Sequence, residues 1–247
     1  ICYVTMDGEH ALVREHVREG GRAVVLERGV AGEMITIHDG GRHLPLIWTH
    51  LIPATIDGKA RHNVQNAMFA AGIAYALGNG PVELTLDQIR HGLQTFSTSF
   101  YEAPGRLNVF DGHPFRVILD YAHNPAAVEA MADLVDRLEV QGRRILALAA
   151  PGDRRDEDID AIARAAAGHF DHFVCKRDDR LRGRGETEVP EMLRATLLAA
   201  GVADDAIELV PDETEAVAHA LSLAEPGDLV VVFGDQISRC WEQIIHH

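Results

Sequence analysis

From residue 102 onward the chain alternates strand-like and helix-like stretches so regularly that few folds remain open to it. FRVILDY, RRILALAAPG, HFVCKR, IELV and DLVVVFG are short apolar runs. PAAVEAMADLVDRLE, DEDIDAIARAAAGHF, VPEMLRATLLAAG and TEAVAHALSLA separate them, with apolar residues at helical spacing. Parallel strands can be joined only by a crossover, so repeated βαβ units imply a mostly parallel sheet with helices on both faces. The fold class predicted for residues 102–247 is therefore α/β, a Rossmann-like mostly parallel sheet.

Residues 1–101 follow a different pattern. GRAVVLERG and EMITIHDGGRHLPLI are strands broken by Gly and Asp-Gly-Gly, which is hairpin composition. HNVQNAMFAAGIAYAL reads as a helix, with Val64, Met68, Ile73 and Leu77 apolar, closing at Gly78-Asn79-Gly80. TLDQIRHGLQTF reads as a second helix, with Thr85 and Gln88 spaced for a capping box. FSTSFYEAPG, polar and ending in Pro104-Gly105, is the expected linker.

A net charge of −15 disfavours binding to phosphate backbones, so nucleic acid is not an expected partner. No apolar run reaches the roughly 20 residues that span a bilayer, and no secretory leader opens the chain; a cytoplasmic, non-membrane protein is expected. Cys2, Cys175 and Cys240 are too few and too scattered for a disulfide framework. Only Lys59 and Lys176 are lysines; nearly all positive charge is arginine.

Polar residues gather where strands should end. DYAHNP follows RVIL, PGDRRDED follows RRILALAA, KRDDRLRGRGE follows HFVC, and DQISR follows LVVVFG. In open α/β sheets ligands bind outside the carboxyl ends of the strands, which makes Asp120, His123 and Asn124 first candidates. PGDRRDED supports two readings: an anion site at a helix start with Arg154 and Arg155, or acids placed on the positive end of the helix dipole.

Taken in order, HNVQN (62–66), APGR (103–106) and DYAHNP (120–125) resemble motifs of the Mur ligase and folylpolyglutamate synthetase superfamily. With PGDRRDEDI and DDRLRGRGE added, the chain closely resembles the C-terminal Mur-like portion of the enzymes that build the arginine–aspartate polymer cyanophycin. The resemblance implies that residues 1–101 are the downstream part of a central ATPase domain and 102–247 the C-terminal lid domain. It implies an ATP-dependent ligase that activates a carboxylate as an acyl phosphate and joins it to an amine, adding arginine to aspartate side chains of a polymer. Expected partners are upstream domains of the same polypeptide, arginine and the aspartate-containing polymer, in a homo-oligomer.

The same resemblance assigns residues. Asn63 and Asn66 match an adenine-contacting pair, and an amide offers the donor and acceptor that an adenine edge needs; a polar first helical turn is the alternative. Arg106 matches an arginine that meets the terminal phosphate, Asp120 a ribose-binding carboxylate, and Asn124 and His123 groups near the phosphates or the acceptor. Arg154 and the loop at 176–186 stand where related ligases grip the incoming amino acid. An arginine's carboxylate would want Arg180, Arg182 or Arg184, and its guanidinium Asp178, Asp179 or Glu186.

Such a ligase needs a phosphate-binding loop G-x-x-x-x-G-K-[ST]. The nearest approach, PATIDGKA, has Pro53 for the first Gly and Ala60 for the hydroxyl, so it cannot serve. The ligands for Mg²⁺ would come from upstream, and no dedicated metal site is expected here. The chain is thus expected to be catalytically incomplete as given. A degenerate, noncatalytic Mur-like module for polymer binding or oligomerisation is the alternative function.

Overall fold

A computed structural model describes residues 1–78 and 83–247. Asn79 and Gly80, two of the three residues of the predicted helix stop, lie outside the described residues. The chain forms two compact units, residues 1–97 and 98–247.

In the first unit, β1 (Cys2–Thr5) runs parallel to β2 (Arg22–Gly29), joined through α1 (Ala11–Arg18); β3 (Gly32–Asp39) and β4 (Arg42–Trp48) extend the sheet antiparallel. β1 and α1 have no counterpart in the sequence reading. The β3–β4 turn is Gly40-Gly41, both at positive φ (58° and 76°), the conformation that a two-residue hairpin needs. One sheet face buries Val24, Leu26, Ile35 and Ile37 against α2 (Arg61–Gly78) and α3 (Leu86–Thr95). The other buries Ala23 and Val25 against Val13 of α1. In α2 Val64 and Met68 enter the core as their spacing predicts, whereas Ile73 and Leu77 are exposed. The Thr85–Gln88 capping box forms at the start of α3.

The second unit holds a six-stranded sheet in the order β5-β6-β10-β7-β8-β9. Its strands are β5 (Asn108–Phe110), β6 (Arg116–Asp120), β7 (Arg144–Leu148), β8 (His172–Cys175), β9 (Ile207–Leu209) and β10 (Leu229–Phe233). All neighbours are parallel except β5, an antiparallel edge strand absent from the sequence reading. α7 (Glu213–Leu223) and α8 (Ile237–His246) cover one face through Ala216, Val217, Cys240 and Ile244. Strand residues of the opposite parity, Ile118, Leu146, Phe173 and Val231, are fully buried on the other face. There α4 (Pro125–Arg137), α5 (Asp156–Ala166) and α6 (Glu188–Ala199) pack in series. α8 is a finding of the structure, because DQISR reads only as a loop.

Residues 98–105 of the stretch read as a linker fold with the second unit. The buried Asn108 donates from Nδ2 to the carbonyls of Thr98 (2.8 Å) and Ala103 (2.9 Å) and accepts the Gly105 N–H at 2.7 Å. All three cysteines are free, and burial pushes Cys175 and Cys240 up to about 12. Among the described residues no helix is long and apolar enough to cross a membrane.

Candidate functional site

The strands β6, β10, β7 and β8 are consecutive neighbours and parallel, so their carboxyl ends and the loops that follow share one edge of the sheet. Asp120 is the last residue of β6 and Asn124 the N-cap of α4, its Oδ1 accepting the Ala127 N–H at 3.0 Å. His123 between them turns Nδ1 to the Tyr121 carbonyl at 2.8 Å. The first turn of α4 has Pro125 and no acid, leaving its positive end available to an anion. The α5 start differs: Asp156, Glu157 and Asp158 occupy its first turn, and Asp158 pairs with Arg155. Of the two readings of PGDRRDED, the local geometry therefore fits acids on the helix dipole.

Asp120 is tied to APGR. Its Oδ2 accepts the N–H of Leu107 at 2.8 Å, and Leu107 sits at φ 53°, a left-handed conformation costly for a branched residue. Burial raises the Asp120 carboxyl above the ordinary range, opposed by the Leu107 hydrogen bond and the Arg106 charge. Arg106 itself is exposed, its guanidinium 6.0 Å from the centre of the Tyr121 ring. Gly105 is required twice over: φ is 69°, and a Cβ there would stand 2.8 Å from Ile237 Cδ1.

The loops 151–158 and 176–188 are laced together. Arg184 donates to the carbonyls of Gly152 (2.9 Å) and Arg154 (2.8 Å), to Asp156 (2.7 Å) and to Glu188 (2.8 Å). Arg182 pairs with Asp153 at 3.0 Å, and Asp179 forms a two-pronged pair with Arg239 at 2.7 and 2.8 Å. Asp178 differs from its neighbours: it is partly buried, and among the described residues no arginine pairs with its carboxylate. Burial raises it above the ordinary carboxylate range, Lys176 pulls against the rise, and Asp235 adds to it. Arg180 and Glu186 are exposed, and Arg154 is half-buried. The candidates thus divide into Arg182, Arg184 and Asp179, spent on pairs within the unit, and Arg154, Asp178, Arg180 and Glu186, which hold no ion pair among the described residues.

Beneath this loop lies a group that sequence reasoning passed over. Lys176 and Glu213 are both fully buried, with Nζ and Oε2 2.8 Å apart. Glu213 also accepts the N–H of Asp235 (2.7 Å) and of Gln236 (2.9 Å) and Arg239 Nη2 (2.9 Å). Burial would raise the Glu213 carboxyl, but Lys176 and these donors bring it down to about 2. The available signal was Lys176, one of two lysines in an arginine-rich chain.

In the first unit Asn63 and Asn66 lie in the opening turns of α2. Asn66 donates to Asn63 Oδ1 at 3.2 Å, and Asn63 to the Ala54 carbonyl at 2.7 Å. The helix begins at Arg61, so His62 lies inside its first turn. Ile56, Asp57 and Gly58 just before it all have positive φ (50°, 57° and 80°), unusual for a β-branched residue and a mark of functional loops.

The family description "Mur ligase, glutamate ligase domain" matches residues 105–236, more than half of the chain. The chain belongs to the Mur ligase family. This Mur-type chain is 37% identical over 246 residues to a cyanophycin synthetase of Nostoc sp., which covers 97% of the chain and 25% of that protein. It is 30% identical over 241 residues to a UDP-N-acetylmuramoyl-L-alanyl-D-glutamate--2,6-diaminopimelate ligase of Corynebacterium efficiens, covering 92% of the chain and 40% of the relative. It therefore spans about a quarter of the cyanophycin synthetases it matches. Among solved structures, a Mycobacterium tuberculosis folylpolyglutamate synthase complexed with ADP and AMPPCP has the same fold at a TM-score of 0.64 and 21% identity, over 100% of this chain and 55% of that one.

Proposed function

We propose that the chain is part of an ATP-dependent ligase that activates a carboxylate and joins it to the amine of an amino acid, the acceptor being arginine and the acid an aspartate side chain of a polymer. Residues 1–101 then supply the downstream part of a Mur-type central domain and 102–247 its C-terminal domain. ATP supplies the activating phosphoryl group, with Mg²⁺ held mainly by residues outside this chain. The donors present suit such a nucleotide. The acid-free start of α4, the exposed Arg106 and His123 favour anionic oxygens. Asp120 offers a carboxylate to ribose hydroxyls.

The observation that carries the arginine assignment is Asp178. A recessed carboxylate whose burial already opposes its charge gains most from a cationic partner, and among the described residues no arginine pairs with it. A substrate guanidinium fills that role, with Arg154 taking the substrate carboxylate. An aspartate acceptor would meet like charge there. The relative named cyanophycin synthetase supports the same choice.

In the longer polypeptide to which the chain is proposed to belong, Asp178→Ala raises the KM for arginine roughly 30-fold, about 2 kcal/mol for an unmade charge-assisted hydrogen bond. The KM for ATP, measured in parallel, stays near its original value. Unchanged arginine KM in both Asp178→Ala and Asp179→Ala, with aspartate accepted as well as arginine, would remove the arginine assignment.

A further inference from the structure

Three adjacent strands of the first unit bring two imidazoles and a carboxylate to one point: Glu27 on β2, His38 on β3 and His43 on β4. His38 and His43 are direct partners in the β3–β4 ladder, a register fixed by the Gly40-Gly41 turn. Their rings meet at 64° with centroids 5.0 Å apart, so they do not stack. Instead both turn Nε2 to the same carboxylate. Glu27 Oε1 is 2.9 Å from His38 Nε2, and Oε2 is 2.9 Å from His43 Nε2. The fully buried Thr36 donates its hydroxyl to Glu27 Oε2 at 2.9 Å, fixing the carboxylate from behind. The three donor atoms lie within 4.8 Å of one another.

From this geometry we infer that Glu27, His38 and His43 form a binding site for a divalent first-row transition ion of the Zn²⁺ class. Two imidazole nitrogens and one carboxylate oxygen are a donor set that zinc accepts, whereas Mg²⁺ prefers oxygen throughout. At Zn–ligand distances of about 2.0–2.1 Å, tetrahedral ligands stand roughly 3.3 Å apart. The 2.9 Å contacts, one to each Glu27 oxygen, are a few tenths of an ångström shorter than that, and one ligand atom from each of the three residues lies within 4.8 Å of the others, so small side-chain shifts would bring the set to the ion. The ligands come from strands and not from a loop, so little ordering opposes binding. His38 is 16% and Glu27 32% exposed, but His43 is 55% exposed, so the fourth position opens to solvent on the His43 side. Thr36 acts as the outer-shell partner that ligating carboxylates require. The ion would tie β2, β3 and β4 together. Sequence spacing gave no sign of this, since the three residues are brought together only by the strand register.

The test is calorimetric titration of the chelator-treated chain with ZnCl₂, alongside MgCl₂, followed by thermal melting. The chain has 14 histidines, including His246 and His247 at its end, so the comparison with variants decides. The expected result is one tight Zn²⁺ equivalent with a raised melting temperature and no heat from MgCl₂. That equivalent is lost in His38→Gln/His43→Gln and weakened about tenfold in Thr36→Val. Should the double variant fail to fold, Glu27→Gln, which keeps the side-chain shape, is expected to weaken Zn²⁺ at least tenfold. Absence of a tight equivalent in the unsubstituted chain, or equal affinity and stoichiometry in the variants, overturns the site.

Discussion

Replacing Lys176 with Met keeps the length and apolar stem of the side chain while removing its charge, leaving Glu213 ionised in a fully buried position. Glu213 would retain the N–H groups of Asp235 and Gln236 and the Arg239 guanidinium. Breaking a buried ion pair by removing one partner costs about 3–5 kcal/mol, and the surviving donors argue for the low end. Titration leads to a similar figure. A fall of the Glu213 carboxyl from its ordinary 4.5 to about 2 corresponds to about 3 kcal/mol of stability at neutral pH. Because the folded value lies below the unfolded one, this contribution is complete above about pH 4.5 and is lost as pH falls toward about 2. Urea unfolding of Lys176→Met should therefore show a loss of about 3 kcal/mol at pH 7 that narrows through the same window. Trp241, stacked on Phe100 at 4.9 Å, reports the second unit if the comparison is made in a Trp48→Phe background. Adding Glu213→Gln to Lys176→Met should recover part of the loss, since no lone charge then remains buried. A loss under about 1 kcal/mol at pH 7, or a gap that does not change between pH 6 and pH 3, would refute the assignment of Lys176 and Glu213 as a stabilising pair.

Two further outcomes are expected. In the proposed longer polypeptide, Arg106→Ala should lower kcat by roughly 10² with little change in the KM for ATP, because the role proposed for this exposed guanidinium, acting on developing charge, contributes mainly in the transition state; a variant with normal kcat would leave Arg106 without a catalytic role. Gly105→Ala combines a left-handed backbone with a Cβ 2.8 Å from Ile237 Cδ1, and urea unfolding should show a loss of about 1–3 kcal/mol, whereas a neutral result would mean that α8 can shift to make room.

The sheet edge was legible in the sequence because its strands are apolar on both faces and their ends are marked by polar loops, so DYAHNP and KRDDRLRGRGE announce themselves. β5 was not, since NVF is three residues long and is held by Asn108, whose buried hydrogen bonds reach back to residue 98. α8 was hidden for a different reason: ISRCWEQIIH follows the last strand without a capping residue, as Gln236 makes no side-chain cap. Within the site, residue type alone marked Asp178, Asp179, Arg182 and Arg184 as equal candidates. What separates them is pairing across the fold, and Arg239, 60 residues from Asp179, comes from the helix that the sequence concealed. Lys176 and Glu213 likewise meet only because β8 and the start of α7 are neighbours in space.

The lacing of residues 151–158 to 176–188 has a consequence for how such a chain can change over generations. A Cβ on Gly152 would fall 2.3 Å from the Leu181 carbonyl, and Arg184 grips Gly152, Arg154 and Asp156 at once. Neither loop can be traded for a foreign one without disturbing the other. If these loops choose the acceptor as proposed, that preference would be inherited as a two-loop cassette, with substitutions on one side matched by substitutions on the other. The β-strands beneath, which meet these loops only at their ends, would be free to drift separately.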